Sequence, residues 1–210
     1  MSNQSDMVNN EEMNIGKNLK DWKMPSVPVN QIYKQSIFSK FSIKSDYKIK
    51  TFERTFSLEN ENESIQLFDG ELMGKQWEYS FIHIGLVQVA VKPLIRQGLN
   101  TSVLLCLRDC RFLNFDQSII GRIETSLYED PLYFNCFPNY PLPLSEPHPL
   151  KLDVKINNMV RGSQPLTIMY RFCYKLMKKL DPKSISKSTS FIQTNARNSS
   201  ILSLCCVSKN

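Results

Sequence analysis

Histidine is nearly absent from this 210-residue chain, which holds only His83 and His148. A dispersed Ser-His-Asp triad or a histidine-rich metal centre therefore has little to draw on. His83 lies in an apolar run and reads as a core histidine, while His148 stands between two prolines on a loop. No Cys-x-x-Cys pair occurs among the six cysteines, which disfavours structural zinc. The phosphate-loop, dinucleotide, nucleophile-elbow and zinc-protease signatures are all missing. These absences disfavour an enzyme, and no cofactor, metal or small-molecule substrate is expected. Glycine is scarce at 7 and proline moderate at 11, so nothing is collagen-like or glycine-rich. No run approaches the ~18 apolar residues that a spanning helix requires. The first fourteen residues lack the basic and apolar stretches of a secretion signal, so the expectation is a protein that is not secreted and keeps its thiols reduced.

What is present is ordinary globular text, 41% hydrophobic and 22% charged. The net charge of +6 is unevenly spread. Residues 1–150 carry 15 Lys and Arg against 18 Asp and Glu, whereas residues 151–210 carry 11 against 2. A basic end on a near-neutral body fits either a polyanionic partner or a solvated tail.

Period-two alternation is clearest in Leu150 to Asn157 and Leu166 to Met177, each a half-buried strand by pattern. Phe81 to Lys92 and Thr101 to Asp109 are continuous apolar runs of buried-strand type. Leu132 to Phe137 is strand-like and stops at Pro138. Tyr47 to Leu58 reads as a strand or an extended arm, and Ser118 to Leu127 as helix or strand. Asn30 is placed to cap a short helix. The five prolines between 138 and 149 indicate an extended connection and not a central strand. The expected fold is mainly β, a jelly-roll-like antiparallel β-sandwich with few short helices. Its expected divisions are a flexible leader at 1–28, a core at 29–180 and a disordered basic tail at 181–210.

Two groups of residues stand out. Asp109 ends a buried apolar run, where a carboxylate needs a partner. Arg108 points to the opposite face of a regular strand, leaving Arg111 or a sequence-distant base. Alternatively, Asp109 closes the strand by accepting backbone N–H groups of the next turn. The second group is a basic stretch through Arg161, Arg171, Lys175, Lys178, Lys179 and Lys183. Tyr170, Phe172 and Tyr174 alternate with its cations; they read either as rings stacking bases beside those cations or, since alternation puts them on the opposite face, as core. The cations alone would give salt-sensitive binding of nucleic acid with little sequence preference.

Residues 79–179 resemble the core of the plant-virus movement proteins of the 30K superfamily, in the caulimovirus type carried by reverse-transcribing viruses. The resemblance runs through Ile82-His83-Ile84-Gly85-Leu86-Val87, Gly98-Leu99-Asn100-Thr101-Ser102-Val103 and Leu105-Cys106-Leu107-Arg108-Asp109-Cys110-Arg111. It continues in Pro131-Leu132-Tyr133-Phe134-Asn135-Cys136-Phe137-Pro138 and Tyr170-Arg171-Phe172-Cys173-Tyr174-Lys175. It implies a jelly roll, cell-to-cell transport of a viral genome through plasmodesmata, and binding of single-stranded RNA or DNA. It further implies self-association, host plasmodesmal and membrane-associated protein partners, and a location at plasmodesmata or the cell periphery, peripheral to membrane or cytoplasmic. The family's signature aspartate falls on Asp109, beside Arg111, with its following glycine on Gly121, and is linked to transport competence. Glu129-Asp130-Pro131 departs from the glycine expected before the proline, and Cys205-Cys206 resembles nothing in the family. A truncated or genome-integrated copy fits these departures. The alternative function is a self-assembling, tubule-forming β-domain that binds no nucleic acid.

Overall fold

The computed structural model of the chain describes residues 23–33, 47–68, 74–75, 77–94, 101–126, 132–138, 140–145, 150–160, 162–180 and 191–194. The two alternating segments form strands over the ranges their pattern predicts, Leu150–Asn157 and Leu166–Met177. In chain order the elements are α1 (Val29–Ile32), β1 (Tyr47–Ser57), β2 (Asn62–Gln66), β3 (Phe81–Pro93) and β4 (Ser102–Asp109). They continue with α2 (Phe115–Ser118), β5 (Ile119–Ser126), β6 (Leu132–Phe137), β7 (Tyr140–Pro143), β8 (Leu150–Asn157), β9 (Leu166–Met177) and β10 (Phe191–Thr194). The ambiguous stretch after Ser118 is thus a strand, introduced by one helical turn that the Asn114 side chain caps by accepting the Gln117 N–H.

The strands form two antiparallel sheets. One runs β1-β9-β3-β6-β10, with β7 continuing the β6 edge of β3, and the other runs β2-β8-β4-β5. Leaving out β7 and β10, which stay in the larger sheet, successive strands cross between the sheets, except that β4 and β5 form a hairpin. With β7 and β10 set aside, this is the wiring of a jelly roll, as the sequence pattern predicts. The chain connections after β2, β4 and β7, and the exit from β9, gather at one end of the sandwich.

Leu166, Ile168, Tyr170, Phe172, Tyr174 and Leu176 of β9 face the interior, where they meet Leu150, Leu152, Val154 and Ile156 of β8 in one core. Aromatic rings run along this interior: Phe56 stacks on Tyr170 at 5.7 Å, and Phe68 meets Phe172 edge-on at 5.6 Å. Full burial of each such side chain contributes about 1.5–3 kcal/mol before the entropy of ordering it.

Three expectations are corrected. Asn30 does not cap α1; it lies within the helix, and Pro28 occupies the cap position without a side-chain bond. The proline-rich connection contributes β7, which is tolerated because Pro141 and Pro143 lie on a short strand at the margin of the sheet. The segment after Leu180 is not structureless throughout, since Phe191–Thr194 pairs with the open edge of β6.

Residues 23–28 of the expected leader are among the described residues. Residues 23–33 form a strap over the outer face of the larger sheet, with Met24 and Tyr33 buried. Tyr33, Leu86 and Cys173 make a second apolar cluster, joined by Val27, Val29, Ile32, Ile49 and Phe137. The Tyr33 hydroxyl donates to the His83 carbonyl at 2.9 Å and lies 3.1 Å from His83 Nδ1. Burial pushes the Tyr33 hydroxyl well above the ordinary phenol range, so it stays a neutral donor.

Beneath the strap, a polar row crosses four strands in register: Glu53, Arg171, Gln88 and Asn135. Gln88 Nε2 donates to Asn135 Oδ1 at 2.9 Å and to the Pro25 carbonyl at 3.0 Å. Buried amides need such partners, and the strap supplies one of them.

Gly85 lies at the register shift of β3, where a Cβ would stand 2.5 Å from Ile32 Cγ2 and 2.7 Å from the Tyr33 ring. Replacing Gly85 with Ala therefore lifts the strap. We expect a loss of about 1–3 kcal/mol in urea unfolding. Cys173 beneath the strap should also label faster with maleimide; unchanged labelling together with unchanged stability would show that the strap does not need this glycine.

Candidate functional site: a buried aspartate and a basic strand end

Strand β4 alternates so that Val103, Leu105 and Leu107 face the core, and Asp109 continues that face with no exposed surface. The chain then turns, and two residues later Arg111 folds back. Arg111 Nε donates to Asp109 Oδ1 at 3.0 Å and Nη2 donates to Oδ2 at 2.8 Å. The Arg111 backbone N–H adds a third bond to Oδ1 at 3.1 Å. The arginine is the partner that the sequence leaves open, and the turn N–H bond is made as well. This arrangement is a bidentate fork, the strong form of a carboxylate–guanidinium pair. Gly121 is buried in β5, opposite Leu107 of β4.

Arg108 points out of the other face, as strand geometry requires. Its Nη1 meets Asp153 Oδ2 at 2.7 Å and its Nε donates to Ser118 Oγ at 2.8 Å. Its guanidinium lies 4.4 Å from the Phe115 ring centroid. Asp153 also accepts from Ser64 Oγ at 2.7 Å. The same face holds Cys106, whose thiol is pushed up to about 11 by burial and then by the charge of Asp153. Burial likewise raises the Cys110 and Cys173 thiols. Thiols in this range are poor nucleophiles at neutral pH.

The basic stretch is divided by the fold. Arg171 and Lys175 are corrections to the expectation that they face a polyanion. Arg171 lies in the polar row, where Nε donates to Glu53 Oε2 at 2.6 Å and Nη1 donates to the Pro25 carbonyl at 3.3 Å. Lys175 is 7% exposed. The physical reason is the strap, a non-local segment that covers a face which local alternation would leave to solvent. Lys178 and Lys179 follow the end of β9 and are exposed. Arg161 and Lys183 lie outside the described residues, as does His148.

Sequence reasoning missed Arg108 as the hub of the outer-face ion pair, although its alternation with Asp109 carried that signal. It also missed Trp77, which is 91% exposed. Among the described residues, no group of three or more His, Cys, Asp or Glu is arranged to hold a metal ion. No helix among them is long and apolar enough to cross a membrane.

Comparison with known proteins adds the following. The model of a family described as viral movement protein matches residues 17–192. The genome polyprotein of Petunia vein clearing virus (isolate Shepherd) is 30% identical over 93 residues, 44% of this chain and 4% of the polyprotein. The movement protein of Figwort mosaic virus (strain DxS) is 29% identical over 103 residues, 46% of this chain and 32% of that protein. The matched region is therefore a small part of each relative's length. Among solved structures, Turnip yellow mosaic virus superposes with a TM-score of 0.44 at 10% identity, covering 77% of this chain and 90% of that one. Cocksfoot mottle virus gives 0.45 at 10% identity, covering 79% and 96%.

The Asp109–Arg111 fork yields a stability test. Arg111→Ala leaves a buried carboxylate short of donors and should cost about 1–3 kcal/mol in urea unfolding. Asp109→Asn keeps the shape and should cost less. Combining Asp109→Asn with Arg111→Ala should cost less than the sum of the two, because the pair is coupled. Strict additivity would mean that the fork is not an energetic unit.

Proposed function

The chain belongs to the viral movement protein family, and from that premise we propose that it carries viral genomes between plant cells through plasmodesmata by binding single-stranded nucleic acid without sequence preference. The observation that carries this reading is the separation of charge. Arg108, Arg111 and Arg171 are held in ion pairs, whereas Lys178 and Lys179 are exposed where β9 ends and are followed in sequence by Lys183 and Lys187. Lysines neutralise phosphates as point charges and read no bases. Arg161 and Lys183 extend the proposed contact set. Host plasmodesmal and membrane-associated proteins and self-association complete the proposed partners. No residue of this set performs chemistry; the proposed role is binding and transport.

A second reading, a self-assembling β-domain that binds no nucleic acid, is favoured by one feature. Strand β1 is an eleven-residue strand at the end of the larger sheet's order, and among the described residues no strand pairs with its outer side. Size-exclusion chromatography with and without single-stranded DNA separates the two readings. Oligomers indifferent to DNA support the second.

For the first reading, affinity for unstructured oligonucleotides should fall steeply between 50 and 200 mM salt, on the order of tenfold or more. Replacing Lys178 and Lys179 with Ala should weaken binding about equally for all sequences. The slope of log K against log salt should become shallower by about 1–1.5. In leaf epidermis a fluorescent fusion should collect at punctate wall sites. Diffuse fluorescence combined with salt-insensitive binding would remove the proposal.

A further inference from the structure

A tryptophan that buries almost nothing calls for a reason. Trp77 is 91% exposed, while Tyr79, two residues on, is buried. The N–H groups of Glu78 and Tyr79 both donate to the Lys75 carbonyl, at 3.1 and 3.0 Å. The next residue ties this turn to the end of β9, because the Ser80 N–H donates to the Met177 carbonyl at 3.0 Å. Lys178 and Lys179 follow Met177 directly, both exposed. The indole thus lies three residues before Ser80, which bonds to the end of β9 that two exposed lysines follow. Lys75 adds a cation and Glu78 is the acidic neighbour.

We propose that Trp77 is a base-stacking platform and that, with Lys178 and Lys179, it forms a single-stranded nucleic-acid site at this end of the sandwich. The proposal rests on the nucleic-acid reading above and adds to it a contact with bases. The lysines hold the phosphates, and the indole stacks on a base that no partner strand covers. Every base has a π-face, so the contact is tolerant of sequence. It does discriminate single strands from duplex, in which base faces are already stacked. The exposed ring also suits a bilayer interface, which becomes an outcome of the test.

The test uses the full chain with Trp22→Phe, so that emission reports Trp77 alone. Two oligomers of equal phosphate number are titrated, oligo-dT and an abasic analogue. Quenching and tighter binding are expected with oligo-dT, and little quenching with the abasic strand. Trp77→Ala should lose affinity for oligo-dT about tenfold, keep the full salt slope and bind both oligomers alike. Trp77→Phe should restore most of the loss. Because the ring is exposed, the unfolding midpoint should not move in either variant.

Equal oligo-dT affinity in wild type and Trp77→Ala, with the salt slope intact, overturns the platform and leaves the nucleic-acid reading standing. No binding of oligo-dT by any form at low salt overturns both. A blue shift with phosphatidylserine–phosphatidylcholine vesicles, without quenching by oligo-dT, overturns the platform and assigns the ring to a membrane surface.

Discussion

Strand β9 has to bury both of its faces, and much of the molecule is arranged around that requirement. It lies between β1 and β3 in the larger sheet. Its even-numbered residues enter the sandwich core, which any half-buried strand achieves by facing a second sheet. Its odd-numbered residues include Cys173, Lys175 and Met177, all buried as well. Among the described residues no third sheet covers them. The strap from residue 23 to residue 33 does so in part, and several other features follow from it: the absence of a side chain at Gly85, the amide row through Gln88 and Asn135, and the hydroxyl of Tyr33 over the His83 backbone. A local sequence of no obvious periodicity thus completes the packing of the most regular strand in the chain.

This arrangement explains what the sequence made legible and what it did not. The alternation in β8 and β9 is an intrinsic property of half-buried strands, so their ranges and inward faces were readable directly. That Asp109 needs a partner was readable because a buried carboxylate at a strand end needs donors; that Arg111 is that partner was not, since a distant base or the next turn's N–H groups would serve as well. Lys175 was misjudged because alternation reports only that a residue points away from the core. It does not report whether a distant segment lies on that side. The same limit hid the seating of Met24 and the pairing of β10. Four residues from a polar tail carry no pattern of their own, and the bonds that hold them come from the edge of β6. The mixed signal after Ser118 arose because one helical turn runs straight into β5.

The charges sort into two kinds. Arg108, Arg111 and Arg171 each hold a carboxylate and serve the fold. Arginine suits that role because its planar fork can meet two oxygens, or two partners, at once. The residues left facing water where β9 ends are lysines, whose mobile ammonium groups suit a flexible polyanion with no fixed geometry. Membership of the movement protein family gives that division a use. Under the proposed function, a carrier of genomes of arbitrary sequence needs charge that does not read bases, on a scaffold whose own stability does not depend on the same charges.

The wiring of the jelly roll has a consequence for how the protein is made. The earliest long strand pairs with the last long one, with Tyr47 opposite Met177 and Ser57 opposite Thr167. During synthesis, β1 and β3 must both wait for β9 before the larger sheet can join across its centre. Until then each presents an unmatched backbone ladder to its surroundings, and such nascent chains are prone to sticking to one another. Maturation of this chain is therefore governed by its last long strand, and loss of that strand would leave the earlier ones soluble only for as long as a chaperone holds them.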